Sequence, residues 1–552
     1  MPRIAIASSD VETLNGSTAN ATFVTQFARL LKENGDDVSI ILAHAGTEPI
    51  AVDARWREDC RSWGLDLIEL SNRAAANRVP DVWLMRLSEQ VAPILPAFDV
   101  VYFIDRANLA FHTVRIGRFT TNAMPVCVTM LHGPSEWAHC RDRTYARNTE
   151  DSYLDFAERY SALHSDFVAA PRQSILDWAK SNGWQFRGET EVLGLPQLFD
   201  PSPPALAAKL HEQAETPLSP EQPAHYDHTA ANRRWLAFHV RICDRKRALS
   251  HRAAAASESA RNAVDVCVTY YNQARHFPQL LDSLERQTTQ DFGVIAVDHG
   301  SSDAAARAVF DAAAEKYGPR GWRFFRQPTP FADAARNQAA KHAGAAYLLM
   351  LDAGDVAAPN AVERMLEAAR LSGDDCLMSA SCLFTGDEFP FDPDTSELTA
   401  PPFCFYMPLS PTPAIPLEDP ALLGDPMILI RREVLEAIGG YRELRGAARG
   451  NRELLVRLAL AGYKTDVLPE YLHFCRQIDD GFTHAPKQSL SKVRIFKPVQ
   501  NKLSGLRRFA GNDQGPALVR LARRAYRQAV PLDIRLRLHL RLLKLMRRDP
   551  RR

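Results

Sequence analysis

Apolar residues recur along this chain in two rhythms, and residues 265–303 show both (DVCVTYYNQARHFPQLLDSLERQTTQDFGVIAVDHGSSD). A short run, Val266, Cys267 and Val268, breaks at Tyr271 and Asn272. Phe277, Leu280, Leu281 and Leu284 then recur at three- and four-residue spacing, the mark of one buried helix face. A second run, residues 293–297, closes in the turn-rich Asp298, His299, Gly300, Ser301, Ser302 and Asp303. The pattern predicts strand, helix, strand. Two strands joined through a helix require a parallel, right-handed crossover. Open parallel sheets bind ligands in the crevice beyond the carboxyl ends of their strands, and Asn272 and Asp298 stand at two such ends.

The same alternation governs residues 1–200. Apolar runs at 4–7, 38–42, 100–104 and 126–131 predict strands. Between the first two, Phe23, Phe27, Leu30 and Leu31 mark a helix face that ends at Gly35, a natural C-cap. The run at 126–131 ends in a polar turn where His132 and Gly133 would face a ligand crevice. This is the pattern of an α/β, doubly wound, Rossmann-like domain. Residues 201–262 carry no strand pattern; LAAKLHEQA and RRWLAFHVRICDRKRALSHRAAAASESA predict helices, so the stretch is expected to be a helical linker.

Composition changes this picture little until the charge is located. The chain has 552 residues, 46% hydrophobic and 24% charged, which fits a globular protein of about three or four domains. No apolar run approaches the ~20 residues of a membrane-spanning helix. The start, MPRIAIASSD, has too short an apolar run for a signal peptide. Nine cysteines are scattered without a C-x-x-C pair, which argues for a reducing compartment, and the cytoplasm is the expected location. Residues 487–552 hold nineteen Lys or Arg against three acids, close to +16, so the remainder of a chain of net charge +1 lies near −15. Residues 486–552 therefore read as basic helices. They either form a solvated appendage or present a basic amphipathic face to an anionic membrane, peripheral to its inner surface. A nucleic-acid partner is not expected, because the stretch matches no known nucleic-acid-binding module.

The 265–303 stretch resembles the nucleotide-binding half of family 2 (GT-A fold) glycosyltransferases, which show a Pro-x-Tyr-Asn turn and then Val-Asp-Asp-Gly-Ser-x-Asp. ADAARNQAAKHAGAAYLLMLDAGDVAAPNAVERM resembles their Ala-Arg-Asn helix followed by a strand ending in an aspartate motif. GDPMILIRREVLEAIGGYRELRGAARGNRELLVRLALAGYKTDVLPEYLHFCR resembles the acceptor half, with its Glu-Asp-Trp-Glu before an Arg-Leu-Ala helix. Residues 1–200 resemble the N-terminal half of GT-B, glycogen-synthase-like glycosyltransferases, through FDVVYFID, TMLHGPSEWA and DFVAAPRQSILDWAKSNGW. The resemblances imply four parts. Residues 1–200 are a GT-B-like half domain serving the acceptor side or as a scaffold, 201–262 the linker, 263–485 a GT-A domain, and 486–552 the basic tail.

A GT-A transferase holds a nucleotide-sugar donor, neutralises the departing diphosphate and deprotonates an acceptor hydroxyl. The resemblance implies donor contacts at Thr269, Tyr271, Asn272, Asp298, Arg336, Asn337, Asp352 and Arg476. It implies Mg²⁺ or Mn²⁺ on Asp352 and Asp355, and the catalytic positions at Asn451 and Glu453. Read as residues alone, Asp298 is also a turn former, Asp355 an N-cap for a helix starting near Pro359, and Glu453 an exposed acid paired with Arg449 or Arg457. His473 falls where relatives place a phosphate or metal contact. Three positions depart from the family pattern: His299 replaces an aspartate, Gly354 the central aspartate of the metal motif, and Asn451 the catalytic base. An amide cannot take up a proton at neutral pH. The expected activity is therefore transfer of a sugar from a nucleotide-sugar to a glycan or lipid-linked acceptor in surface-polysaccharide synthesis. The alternative is an impaired pseudo-transferase that binds nucleotide or glycan as a scaffold.

Overall fold

The structure is a computed structural model describing residues 1–9, 19–44, 54–71, 78–79, 83–104, 109–122, 124–141, 149–194, 228–249, 263–328, 331–392, 404–406, 427–443 and 450–476. The basic stretch 486–552 and the LAAKLHEQA segment lie outside the described residues. Packing divides the chain into two compact units. The first comprises residues 1–75, 82–117 and 121–256, the second 76–81, 118–120 and 257–552.

The first unit is built on a seven-stranded sheet in the order 66–71, 37–44, 3–8, 100–104, 126–130, 167–170, 189–192. All its pairings are parallel. The strand order reverses between Arg3–Ser8 and Val100–Ile104, the arrangement of a doubly wound fold. Both strands are buried almost end to end, as sheets covered on two faces require. Helix Ala19–Glu33 buries Phe23, Phe27, Leu30 and Leu31 as its spacing predicts. The edge strands Asp66–Ser71 and Glu189–Val192 had no readable signal, because DLIELS and ETEV mix acids into short apolar runs. Helix His228–Leu249 falls within the stretch read as a linker, and its Trp235, Phe238 and Ile242 are buried in this first core. Its His239 Nδ1 lies 2.8 Å from the Tyr102 hydroxyl and its Nε2 3.2 Å from Asp36.

The second unit carries a mixed sheet in which Arg323–Arg326, Phe292–Asp298, Val264–Tyr270 and Tyr347–Asp352 run parallel. Ile428–Arg431 lies antiparallel between Tyr347–Asp352 and Cys376–Phe384. The long strand Thr465–Arg476 runs parallel to Cys376–Phe384 and antiparallel to the two-residue strand Val356–Ala357. Helix Phe277–Glu285 packs Phe277, Leu280, Leu281 and Leu284 into the core, the face read from its spacing. Strands Val264–Tyr270 and Phe292–Asp298 pair in parallel, with Asp298 level with Tyr270. One buried acid breaks the first apolar strand. Asp265 accepts from the Gly344 and Ala345 amides at 2.7 and 2.9 Å. A side chain on the neighbouring Gly293 would place its Cβ 2.1 Å from Asp265 Oδ1, so this pairing needs glycine there.

The fold matches the sequence reading in class: an α/β Rossmann-like unit and a second α/β unit with a mixed sheet. Among the described residues no helix is long and apolar enough to cross a membrane.

Candidate functional site

Three strand ends of the second unit lie side by side. The register sets Asp298 beside Tyr270 and Asp352 beside Thr269. The polypeptide leaving each strand therefore enters one shared edge, and the side chains there divide into those consumed within the protein and those left facing out.

The first two loops are laced together. Asn272 sits in the left-handed region at φ 50°, where Asn is among the better tolerated non-glycine residues. Its Oδ1 accepts from the Ser302 and Asp303 amides at 3.0 and 3.1 Å, and its amide nitrogen donates to Ser302 Oγ at 3.1 Å. Asp298 is buried; its Oδ1 accepts from the Ser301 amide and hydroxyl at 2.9 and 2.7 Å, and Oδ2 lies 3.4 Å from Arg326 Nε. Both residues hydrogen-bond to the loop that follows strand Phe292–Asp298. Above them the Tyr271 and His299 rings stack, with centroids 5.2 Å apart and planes inclined by 16°. His299 is buried and its Nδ1 has no hydrogen-bond partner. Burial drives its pKa down to about 4, against the opposing pull of the nearby Asp352 carboxylate. The ring is therefore a neutral, flat surface at ordinary pH.

Asp352 ends the next strand. Arg336 Nη2 donates to both its oxygens, at 2.8 and 3.0 Å, and the Thr269 hydroxyl donates to Oδ1. Arg336 is almost wholly buried, whereas the Asp352 side chain keeps 44% of its exposure. Desolvation favours the neutral acid, but the Arg336 guanidinium and the Thr269 hydroxyl outweigh it and hold the carboxyl below its ordinary pKa. Asp352 is thus a fixed carboxylate, ionised at neutral pH, with one side open. Arg336 Nη1 reaches Asp333 Oδ1 at 3.2 Å, and its guanidinium lies 5.5 Å from the centre of the Tyr441 ring. Its neighbour Asn337 brackets the Tyr441 backbone, donating to the carbonyl and accepting from the amide, each at 2.8 Å.

The start of helix Gly450–Ala461 meets this array. A Cβ on Gly450 would lie 2.0 Å from Asp333 Oδ1 and 3.3 Å from Arg336 Nη1. The Asp333 carboxylate thus lies where a side chain at 450 would begin. Sequence reasoning missed Asp333. The available signal was its i, i+3 spacing to Arg336, which recurs in many ordinary helices. Asn451 Oδ1 accepts from the Tyr441 hydroxyl at 2.9 Å. Glu453 pairs with Arg457 at 2.9 Å, as its spacing predicts, but it is buried rather than exposed. Arg442 adds a second charge at 3.4 Å, and Glu453 Oε2 has no hydrogen-bond partner. The expected alternative partner, Arg449, lies outside the described residues.

Asp355 is not a helix cap. The following helix, Ala361–Ser372, has Asn360 in that position. Asp355 Oδ2 instead lies 3.0 Å from His473 Nε2. Among the described residues, Asp355, His473 and Cys475 are the one group of three or more ligand-type side chains with donor atoms close enough for a metal ion, all within 4.8 Å of one another. Asp352, paired with Asp355 in the sequence reading of the metal site, is held by Arg336 and is not in that group. Arg476 is buried. It donates to the Gly354 and Gly386 carbonyls and to Gln279 Oε1, tying three segments behind the aspartate loop. In the first unit, His132 packs edge-on against Phe23 with centroids 4.2 Å apart.

Part of the chain is similar to known proteins. Residues 265–439 match the family described as Glycosyl transferase family 2. A stretch of 107 residues is 35% identical to the teichoic acid poly(glycerol phosphate) polymerase of Staphylococcus epidermidis, covering 19% of this chain. The chain spans only 15% of that relative's length. Among solved structures, TarS 1–349 of S. aureus in complex with UDP-GlcNAc is 19% identical, at TM-score 0.32, over 41% of this chain and 61% of that one. The mannosyltransferase PcManGT of Pyrobaculum calidifontis, in complex with GDP-Man and Mn²⁺, is 17% identical, at TM-score 0.31, over 48% of this chain and 80% of that one.

Two predictions follow from the packing. His299 protonates near pH 4 in the folded protein and near 6.5 when unfolded, so the unfolded chain takes the proton first as pH falls. Its contribution is complete above about pH 6.5 and is lost progressively towards pH 4, a change of about 3 kcal/mol. Urea unfolding from pH 7 to 4 should fall more steeply for the native protein than for His299→Phe; parallel curves would contradict the burial. Gly450→Ala should destabilise by about 1–3 kcal/mol through overpacking, although alanine is the better helix former. In an Asp333→Ala background that cost should shrink by ~1 kcal/mol or more. Additive losses in the double mutant would show that the two residues do not meet.

Proposed function

We infer that the family 2 glycosyltransferase domain at residues 265–439 binds a nucleotide-diphosphate sugar at the shared strand edge and transfers the sugar to an acceptor hydroxyl. The single observation that carries this reading is Asp352: an ionised, half-exposed carboxylate, clamped by buried Arg336 and by Thr269, beside the stacked Tyr271 and His299 rings. A flat neutral platform suits a nucleobase, by stacking rather than by charge. A rigid carboxylate suits sugar or ribose hydroxyls, which donate to it without any rearrangement of the protein. Asn272 and Asp298 act on this reading as loop-formers that hold the platform. Arg336 and Asn337 act from behind, the first on Asp352 and the second on the Tyr441 backbone.

In the transfer, the acceptor oxygen attacks the anomeric carbon, the bond to the diphosphate breaks, and the nucleoside diphosphate leaves with the electron pair. The attacking oxygen's proton must pass to a base. A divalent cation, when bound, supplies charge neutralisation for the departing diphosphate. Asp355 and His473 are the residues that would hold it, and the bare His473 Nε2 fits that role. The acceptor we propose is a glycan or lipid-linked chain of a surface polysaccharide, with the basic residues of 486–552 meeting an anionic membrane. The first unit would serve the acceptor side or act as a scaffold.

A second reading rests on a specific observation. Asn451 has no proton-accepting group, and Glu453 is buried in ion pairs. A domain that binds donor without transferring sugar, a scaffold or regulator, fits these two residues better.

Calorimetric titration with UDP, GDP and their sugars, with and without divalent cation, separates the readings when paired with an assay for released nucleoside diphosphate. Micromolar binding that weakens about 10–100-fold in Asp352→Ala, the loss of one charged hydrogen bond, together with nucleotide release, supports the transferase. Binding without release in the presence of candidate glycan acceptors supports the scaffold. No binding of any nucleotide to folded protein would sink the donor site.

A further inference from the structure

Sugar transfer needs a group that receives the proton of the attacking hydroxyl, and most titratable side chains around the strand edge are committed elsewhere. Asp298 accepts from the Ser301 amide and hydroxyl. Glu453 lies against two guanidinia, Arg457 at 2.9 Å and Arg442 at 3.4 Å. Asp355 faces His473 at 3.0 Å. Asn451 carries an amide, and its oxygen already accepts from the Tyr441 hydroxyl. Burial drives the pKa of His299 down to about 4, which makes the ring a weak base.

Asp333 stands apart. It lies in the first turn of helix Ala332–His342 and shares Arg336 with Asp352. The two carboxylates contact different amino groups of that guanidinium, Asp352 at 2.8 Å on Nη2 and Asp333 at 3.2 Å on Nη1. Two carboxylates on one guanidinium carry a formal excess of one negative charge. A single arriving proton neutralises that excess and relieves the repulsion between the carboxylates. Asp333 is the better place for it, because Arg336 donates to both Asp352 oxygens and the Thr269 hydroxyl donates there as well. With the proton on Asp333, Arg336 stays paired with Asp352, and no buried charge is left uncompensated.

Gly450 gives this carboxylate its room. A Cβ at 450 would lie 2.0 Å from Asp333 Oδ1 and 3.0 Å from its Cγ, so the corner between the two helices belongs to Asp333. At 6% exposure the side chain is little screened by water, and neighbouring charges act on it at close to full strength. Through Arg336 it is also one guanidinium away from Asp352, the carboxylate that carries the donor-site reading.

We propose that Asp333 is the base of the transfer, taking the proton of the acceptor hydroxyl as its oxygen attacks; this rests on the transferase reading of the strand edge. An electron pair of the attacking oxygen forms the bond to the anomeric carbon. The bond from that carbon to the diphosphate breaks, and its electron pair leaves with the nucleoside diphosphate. The proton stays on the Asp333 carboxyl and passes to water once the products have gone. A positioned base of this kind contributes about 10²–10⁴-fold in rate.

The test uses the full chain, UDP- and GDP-sugars as donors and water as the probe acceptor, with released nucleoside diphosphate as the readout. Asp333→Asn keeps the shape of the side chain and should release nucleotide about 10²–10⁴-fold more slowly, with its calorimetric affinity for nucleotide unchanged. Formate added to Asp333→Ala should restore part of the lost rate and leave the native chain unaffected. Adding Gly450→Asp to Asp333→Ala returns a carboxylate to the same corner from the other helix, and should also restore part of the rate. A residue that only shapes the site would show neither rescue. Circular dichroism establishes that each variant is folded. Release from Asp333→Asn at the native rate, or no rescue by formate or by Gly450→Asp in folded protein, would overturn the proposal and leave the transferase reading standing. Nucleotide affinity lost together with rate would make Asp333 a structural residue and overturn it too. Nucleotide binding by the native chain without release, to water or to candidate glycans, would take down the transferase reading and this one with it.

Discussion

A buried guanidinium cannot remain without partners, and in the second unit that requirement organises the strand edge. Arg336 is 4% exposed and is flanked by Asp333 and Asp352, with the Tyr441 ring beside it. Removing one member of such a group commonly costs about 3–5 kcal/mol, because a buried charge is then left uncompensated. The geometry of its neighbours follows. The helix Ala332–His342 is pinned to the end of strand Tyr347–Asp352, and Thr269 brings in the adjoining strand through the same carboxylate. Tyr441 passes the constraint to Asn451, and Gly450 is small because Asp333 already fills the space beside it.

The loops around this array use most of their polar atoms on one another. Asn272, Asp298, Ser301 and Ser302 form one hydrogen-bonded lattice, and Arg476 braces the aspartate loop from behind. What faces outward is correspondingly small: the open side of Asp352 and the half-buried Tyr271 ring, backed by the buried His299 ring stacked on it. Such a site is rigid before any ligand arrives, which is the condition under which a few hydrogen bonds give useful affinity and specificity. Asn272 and Asp298, which resemble donor contacts in the sequence, belong to this hydrogen-bonded lattice.

Local pattern carried the architecture. The apolar runs and the three- and four-residue spacings of Phe23 to Leu31 and Phe277 to Leu284 each reappear as buried faces, because the rhythm of burial is a local property. The contents of the site were less legible where they depend on pairing between distant segments. Asp355 meets His473 and Cys475 across more than a hundred residues, and only strand register brings them level. Glu453 looks like an exposed helical acid in a row of charges; its burial comes from helix Gly450–Ala461 packing inward on nearly every side, with Arg442 and Arg457 closing over it. Asp333 reads as an ordinary first-turn acid until Gly450 is seen beside it. Of the three departures from the family pattern, His299 proves to be a ring in a stack, and Gly354 lies beside a thiol-containing cluster. Asn451 is a hydrogen-bond partner of Tyr441.

The central claim is that a nucleotide-sugar binds where these strand ends meet. A crystal structure of the protein with bound nucleoside diphosphate tests it most directly. The account predicts a base against Tyr271 and His299, a ribose or sugar hydroxyl on Asp352, and the diphosphate next to Asp355 and His473. A nucleotide found instead at the strand ends of the first unit, or one that leaves Asp352 and the Tyr271–His299 stack untouched, would contradict it.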